Sequence, residues 1–405
     1  MKRLIKSHKL DDVCYDIRGP VVELANQMQR EGMDIIMLNT GNPPAFNLNA
    51  PDEVIRDVRT NLKNSEAYCD SKGIFPARKA IMQYYQTRGI NGVTEDDIYI
   101  GNGSSELVQI SVQALINDGD EILIPMPDYP LWTASVTLSG GRAVHYLCDE
   151  ENHWFPDIED IKSKITQNTR GIVVINPNNP TGSVYSKEIL QEIVDIAVEN
   201  ELVIFSDEIY DHVIYDHKPF YHMAGLTDET LVITFNGLSK SHRVPGFRVG
   251  WMMISGAKSD AMDYIEGIDI LSTMRLCANV PVQHAIQTSL GGYQSIDDLV
   301  GVGGRLHIQR DIIYEGINNI PGLSCEKPDG TLYAFVKIDA EKFNITDDVR
   351  FALDLLKQER ILIVQGTGFN WNKPDHFRIV FLPSPIELQQ TISRLEHFMA
   401  HYRQS

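Results

Sequence analysis

The chain has 405 residues, with 36 basic and 55 acidic side chains and a formal charge of −19. A field of that sign repels polyanions, so nucleic acid is excluded as an expected partner, and any anionic small molecule must be held by individually placed arginines and backbone amides. Apolar residues at 43% and charged residues at 22% are ordinary for a globular protein, no apolar stretch is long enough to cross a membrane, and the length calls for two or more lobes rather than one small core.

The five cysteines, Cys14, Cys69, Cys148, Cys277 and Cys325, are scattered and odd in number, so neither a disulfide framework nor a zinc site is expected. No metal site is expected from the histidines either. The N-terminus, MKRLIKSHKLDDV, lacks the unbroken apolar stretch of a signal peptide, and a cytoplasmic location is the expectation.

The first elements are weak. Residues 1–50, with the turn-rich TGNPPAFNLNAP, read as an arm and small-domain segment packing on the smaller lobe or on a neighbouring subunit. From about residue 98 to 254, seven short apolar runs alternate with helical patterns: Ile98 to Ile100, Glu121 to Ile124, Ala143 to Leu147, Gly171 to Ile175, Leu202 to Phe205, Leu231 to Phe235 and Val249 to Ile254. Continuous runs such as GIVVIN and LVIF suit strands covered on both faces, and SELVQISVQALIND and KEILQEIVDIAVEN carry helix-period apolar positions. The expected fold is α/β: a large domain over 51–290 with a mostly parallel seven-stranded sheet, then a smaller α+β domain over 291–405. The latter is read from TLYAFVKI, DDVRFALDLLKQE, RILIVQG, HFRIVFL and IELQQTISRLEHFMAHY.

Ligands of open α/β sheets sit at the carboxyl ends of the strands, and polar groups follow almost every predicted one. GNGSSEL opens a helix with free N–H groups and hydroxyls at Gly103, Ser104 and Ser105, suited to a phosphate, although a plain strand-to-helix turn has the same look. PMPDYPLW presents Tyr129, which either stacks on a planar ring or packs in the core, and NPNNPTG forms a fixed turn exposing amides such as Asn179. SDEIY puts Asp207 at a strand end with Tyr210 close behind; a salt bridge or helix cap competes with a role as partner of a cationic ring nitrogen. LVITF runs into NGLSKSHRVPGFRVG, where Lys240 lies at the mouth of the sheet ahead of Arg248. An aspartate, a lysine, a stacking aromatic, an anion-binding turn and a further arginine together make up the parts of a pyridoxal-phosphate site.

With the late arginine in HFRIV, these motifs resemble the fold type I pyridoxal-phosphate-dependent aminotransferases over essentially the whole chain. CYDIRGP, AYCDSKGI, IYIGNGSSEL, PDYPLW and CANVPVQHAIQTSLGGYQS are similar to segments of the bacterial glutamate–pyruvate (alanine) aminotransferases. The resemblance implies a cytoplasmic homodimeric transferase of amino-acid metabolism that exchanges the amino group between L-alanine and 2-oxoglutarate in a ping-pong scheme. It implies that Lys240 holds pyridoxal 5′-phosphate as a Schiff base and moves the proton, that Asp207 keeps the ring nitrogen protonated, and that Asn179 and Tyr210 hydrogen-bond the phenolic oxygen. Tyr129 would stack on the ring, while Gly103, Ser104, Ser105, Ser239 and Arg248 hold the phosphate with Tyr68 of the other subunit. Arg378, Asn179 and Gly41 would meet the substrate α-carboxylate, with Arg18 and Tyr15 receiving the second carboxylate of glutamate. One departure is Gly237, where many relatives carry a phosphate-binding serine; His242 and Arg243 receive no role. Competing expectations are a pyridoxal-phosphate aminotransferase of branched or aromatic amino acids and a β-lyase. A non-catalytic regulator would need a damaged site or an added DNA-binding domain.

Overall fold

The computed structural model describes residues 4–11, 13 and 19–405. In chain order the strands are β1 (Ile36–Met37), β2 (Ile98–Gly101), β3 (Glu121–Met126), β4 (Arg142–Asp149), β5 (Phe155–Pro156), β6 (Thr169–Ile175), β7 (Val203–Asp207), β8 (Leu231–Gly237) and β9 (Gly250–Gly256). They are followed by β10 (Leu323–Ser324), β11 (Tyr333–Ile338), β12 (Ile361–Leu362), β13 (Val364–Gln365) and β14 (His376–Val380).

Eight of these strands form one sheet in the spatial order β2-β9-β8-β7-β6-β3-β4-β5. The pairs β8–β7, β7–β6, β6–β3 and β3–β4 are parallel, while β9 runs antiparallel to both its neighbours. Alternate residues of one strand serve different cores: Ile172 and Val174 face one apolar cluster, Val173 and Ile175 the other. Both faces are therefore covered, which is why these strands are continuously apolar rather than alternating. The covering helix Lys187–Glu199 shows the local logic: the Ser186 side chain caps its N-terminus by accepting from the Ile189 N–H, and Leu190, Ile193, Val194 and Ala197 recur at helical spacing on its buried face.

The sheet has one strand more than the seven expected. β5 pairs antiparallel with the end of β4 at the sheet margin, and its two residues, one of them proline, are too few to show a period. A second, four-stranded antiparallel sheet has the order β10-β11-β14-β13 and is covered by the helices Asp348–Glu359 and Pro385–His401. The helix Pro20–Arg30 packs on the same cluster through Val21, Ala25 and Met28, and β1 pairs in parallel with β12. Among the described residues no helix is long and apolar enough to cross a membrane.

Candidate active site

The carboxyl ends of β2, β3, β6, β7 and β8 open onto a cavity of about 410 Å³, closed on its far side by β11 and β14. Of the residues singled out in the sequence, Gly41, Ser104, Ser105, Tyr129, Asn179, Asp207, Tyr210, Ser239, Lys240, Arg248 and Arg378 line it. Tyr68 does not: it is 78% exposed, on a separate surface groove with Cys277 to Pro281. Tyr15 and Arg18 lie outside the described residues.

One end of the cavity is made of donors. The helix Ser104–Leu115 begins there, preceded by Gly103 at φ 85°, and a Cβ on Gly103 would stand 2.2 Å from Arg248 Nη2. Only glycine allows both that backbone conformation and that approach. Arg248 is anchored by donating to the carbonyls of Pro245 (3.0 Å) and Asn102 (3.4 Å). With the Ser104 and Ser105 amides and the Ser239 hydroxyl, the helix end and the guanidinium form a cradle for an anion. The departure at Gly237 has a steric cause: a Cβ there would lie 2.8 Å from the Val249 carbonyl oxygen and 3.0 Å from Gly250 Cα, its partner across β8 and β9.

At the opposite end Asp207 terminates β7, buried, with two long hydrogen bonds: Trp132 Nε1–H donates at 3.2 Å and the Ile209 N–H at 3.4 Å. Burial pushes its carboxyl up to about 6 against those two donors. The acceptor thus faces the cavity with no cation beside it among the described residues, a placement suited to a protonated ring nitrogen.

Between these ends, Lys240 Nζ donates to the Gly41 carbonyl at 2.8 Å. Arg378 lies deeper and is buried. It donates through Nη1 to Asn179 Oδ1 at 2.9 Å and through Nη2 to the Asn39 carbonyl at 2.5 Å, and among the described residues Nε has no partner. The guanidinium is sandwiched by Tyr333 and Phe369, its Cζ 4.1 and 4.5 Å from the two ring centres. Burial draws it below its ordinary range, and among the described residues no carboxylate pairs with it. A buried arginine so arranged is a site for a carboxylate brought by a ligand.

His242 and Arg243 stand behind the lysine turn and do not line the cavity. His242 Nε2–H donates to the Ser289 carbonyl at 2.8 Å and Nδ1 accepts from the Ser241 hydroxyl at 3.0 Å; burial lowers its pKa to about 4, so the ring is neutral. Arg243 ties three segments together, donating to Asn49 O, Ser241 O and Ser295 Oγ. Both fix the turn that presents Lys240.

Sequence reasoning passed over Trp132, Asn39, Phe369 and Tyr333. Tyr333 is the most consequential: Tyr210 donates to its hydroxyl at 2.8 Å, and a Cβ on Gly41 would lie 2.2 Å from that oxygen. Burial pushes both phenols up. At Tyr210 burial prevails, whereas at Tyr333 the charges of Lys240 and Arg378 and the hydrogen bond from Tyr210 outweigh it and hold the phenol below its ordinary range. The histidines also include one pair at helical spacing, His397 and His401, but among the described residues no three potential ligands cluster around a metal position.

A model of the aminotransferase class I and II family matches residues 33–395. The chain belongs to that family. It is 59% identical over 404 residues, all of both chains, to the glutamate-pyruvate aminotransferase AlaA of Haemophilus influenzae, and 58% identical at the same coverage to that of Escherichia coli strain K12. The solved structure of an aminotransferase from Escherichia coli superposes with a TM-score of 0.98 over all of both chains at 58% identity. An alanine aminotransferase from Pyrococcus furiosus matches with a TM-score of 0.92, covering 98% of this chain and all of that one at 38% identity. The protein is therefore a pyridoxal-phosphate-dependent transferase of the aminotransferase class. The cavity fits that cofactor: the donor cradle that a Cβ at Gly103 would fill suits its phosphate, and the uncompensated Asp207 carboxylate suits its ring nitrogen.

Proposed function

We propose that this aminotransferase exchanges the amino group between L-alanine and 2-oxoglutarate, giving pyruvate and L-glutamate. The observation that carries the reading is Arg378, a buried guanidinium without a carboxylate partner among the described residues, in one cavity with Lys240 and Asp207. Full-length similarity to proteins named glutamate-pyruvate aminotransferase and alanine aminotransferase supports the substrate pair.

The cofactor supplies an aldehyde for an amine to join and a ring that takes up the electron pair left on the substrate α-carbon. Lys240 Nζ is the amine that holds that aldehyde between turnovers and afterwards carries the proton from the α-carbon. Asp207 would hold the ring nitrogen's proton, Tyr129 would stack on the ring, and the Asn179 amide and the Tyr210 hydroxyl, turned from Tyr333, would donate to the phenolic oxygen. Gly103, Ser104, Ser105, Ser239 and Arg248 hold the phosphate. Arg378, with Asn179 and the Gly41 amide, grips the α-carboxylate through parallel hydrogen bonds and so fixes which bond at the α-carbon is presented to Lys240. Tyr15 and Arg18 receive the second carboxylate of glutamate, and Tyr68 of a second copy reaches the phosphate, so the working unit is a homodimer. Residues 51–290 form the cofactor domain, 291–405 the small domain and 1–50 an arm and segment of the latter, all in the cytoplasm.

The test is the visible absorption of the purified holoenzyme beside Lys240→Ala. L-alanine is expected to remove the cofactor band of the wild type and 2-oxoglutarate to restore it, while Lys240→Ala shows neither step. A band that L-alanine leaves unchanged would overturn the substrate pair. A band lost to amino acid but not restored by any 2-oxo acid would indicate the β-lyase reaction instead.

A further inference from the structure

Tyr210 and Lys240 stand on two turns that leave neighbouring strands, with Lys240 Nζ 5.8 Å from the centre of the Tyr210 ring. Backbone pairing between β7 and β8 runs as far as Asp207 opposite Phe235, where the Glu208 N–H also donates to the Phe235 carbonyl at 2.9 Å. Beyond that rung the two segments part, and side chains must set their spacing. Asp211 follows Tyr210 directly and is buried, yet it does not line the cavity. Its Oδ2 accepts from Asn236 Nδ2–H at 2.8 Å and from the Tyr84 hydroxyl at 2.6 Å, and Oδ1 has no partner among the described residues. Asn236 is buried near the end of β8, and its Oδ1 accepts from the Gly237 N–H at 2.7 Å, at the entrance to the lysine turn. Tyr84 belongs to the helix Phe75–Gln86, so one oxygen joins the Tyr210 turn, the strand that feeds Lys240 and a neighbouring helix.

We propose that Asp211 is a positioning residue for the transamination, holding the Tyr210 turn and the Lys240 turn at a fixed spacing through Asn236. The proposal rests on Lys240 being the cofactor lysine. Lys240 must reach both the cofactor aldehyde and the substrate α-carbon, and Tyr210 must reach the phenolic oxygen next to that aldehyde. An error in the spacing of the two turns is therefore felt in the chemical step, where a displacement of about 1 Å costs on the order of 10²-fold. The grip on the α-carboxylate is built elsewhere, from Arg378 on β14 and Asn179, and does not pass through this link. The link itself requires an acceptor oxygen at Oδ2 and no change of protonation.

The experiment compares Asp211→Ala with Asp211→Asn in the holoenzyme. The alanine variant leaves the Tyr84 hydroxyl and the Asn236 amide without this acceptor, whereas asparagine keeps an oxygen where both donors point and puts its amide nitrogen where Oδ1 has no partner. Expected for Asp211→Ala are a retained cofactor absorption band with a displaced pH midpoint, and a fall in kcat on the order of 10- to 100-fold with the L-alanine KM within about threefold of wild type. Asp211→Asn should bring kcat back to within about threefold of wild type and restore the midpoint. Asn236→Ala cuts the same link from its other end and carries the test alone should Asp211→Ala not fold. Combined with Asp211→Ala, it should lose no more than the worse single variant, within about threefold. A lowered Tm with kcat and midpoint unchanged would overturn the proposal, as would losses that multiply in the double variant or an asparagine that restores nothing. Failure of the underlying assignment is distinguishable, because it would appear as a cofactor band that survives Lys240→Ala.

Discussion

Asp207 ends β7 and Asp128 follows β3, two strands away in the same sheet, and both are buried. Desolvation pushes both carboxyls up, to about 6 and about 7. They differ in what faces their oxygens. Asp128 is enclosed by protein donors: Asn370 Nδ2–H at 2.6 Å and the Thr133 hydroxyl at 2.9 Å, while its own N–H donates to the Phe369 carbonyl at 2.9 Å. Among the described residues Asp207 has only two long side-chain contacts, and it borders the cavity. An elevated carboxyl therefore reports burial, and a chemical role is marked instead by an acceptor left unspent at a cavity wall. Asp128 joins the turn carrying Tyr129 to the segment carrying Phe369, which packs on Arg378; its work is alignment of two walls of the site.

The sharpest way to break the comparison is to neutralise each acid in turn. Asp207→Asn should lower kcat/KM for L-alanine on the order of 10³-fold, about 4 kcal/mol of transition-state stabilisation, because an amide does not hold the ring nitrogen's proton. Asp128→Asn keeps an acceptor oxygen for Asn370 and should cost no more than about tenfold. Steady-state kinetics on both variants decides; equal losses would make the two acids functionally alike.

The same contrast should appear in stability. A carboxyl whose folded pKa exceeds its unfolded value holds its proton longer in the native state, so its burial is tolerated at low pH and becomes costly as pH rises through the folded value. For Asp207 the window runs from about 4 to about 6, and the ionised group costs the cofactor-free protein about 3 kcal/mol above it. Cofactor-free Asp207→Asn should therefore be more stable than cofactor-free wild type at pH 7, with the advantage shrinking as pH falls toward 4. Bound cofactor supplies the missing cation and should reverse the order. His145 and His242, which burial holds at about 4, titrate in both proteins and cancel in the difference. Urea unfolding across this range checks it, and a difference independent of pH would show that the Asp207 carboxylate is not the cause.

Asp207 and Lys240 were legible because each follows an uninterrupted apolar run, LVIF or LVITF, and the end of a doubly covered strand is where an α/β sheet places its ligand. The seven longer strands were legible for the same reason. The marginal β5 was not, since two residues carry no period. Arg378 was found through family resemblance alone: HFRIV by itself describes an ordinary strand. Tyr333 was missed because alternation along β11 tells which side it faces but not that Tyr210, 123 positions away, would lie across from it. Asp128 and Asn370 are 242 positions apart, and such pairings arise from the packing of the two sheets rather than from any local pattern. The displacement of serine by Gly237 became intelligible only once β8 and β9 were seen in register.

The smallest expected effect concerns the alignment contact itself. Asn370→Ala removes the donor to Asp128 Oδ1 while Thr133 still serves Oδ2, leaving a buried acceptor half satisfied, at a cost of about 1–3 kcal/mol. Loss of a donor to the charged form pushes the Asp128 carboxyl further up, so the penalty should grow as pH rises through about 7, where the group ionises. The Phe369 carbonyl keeps its bond from the Asp128 N–H, which retains the ring beside Arg378, and KM for L-alanine should change by less than about threefold. Thermal unfolding at pH 6 and pH 8, alongside kinetics, separates the two kinds of consequence. A hundredfold loss of turnover with an unchanged Tm would place the Asp128 contact among the catalytic groups and dissolve the distinction between a satisfied and an unspent buried acid.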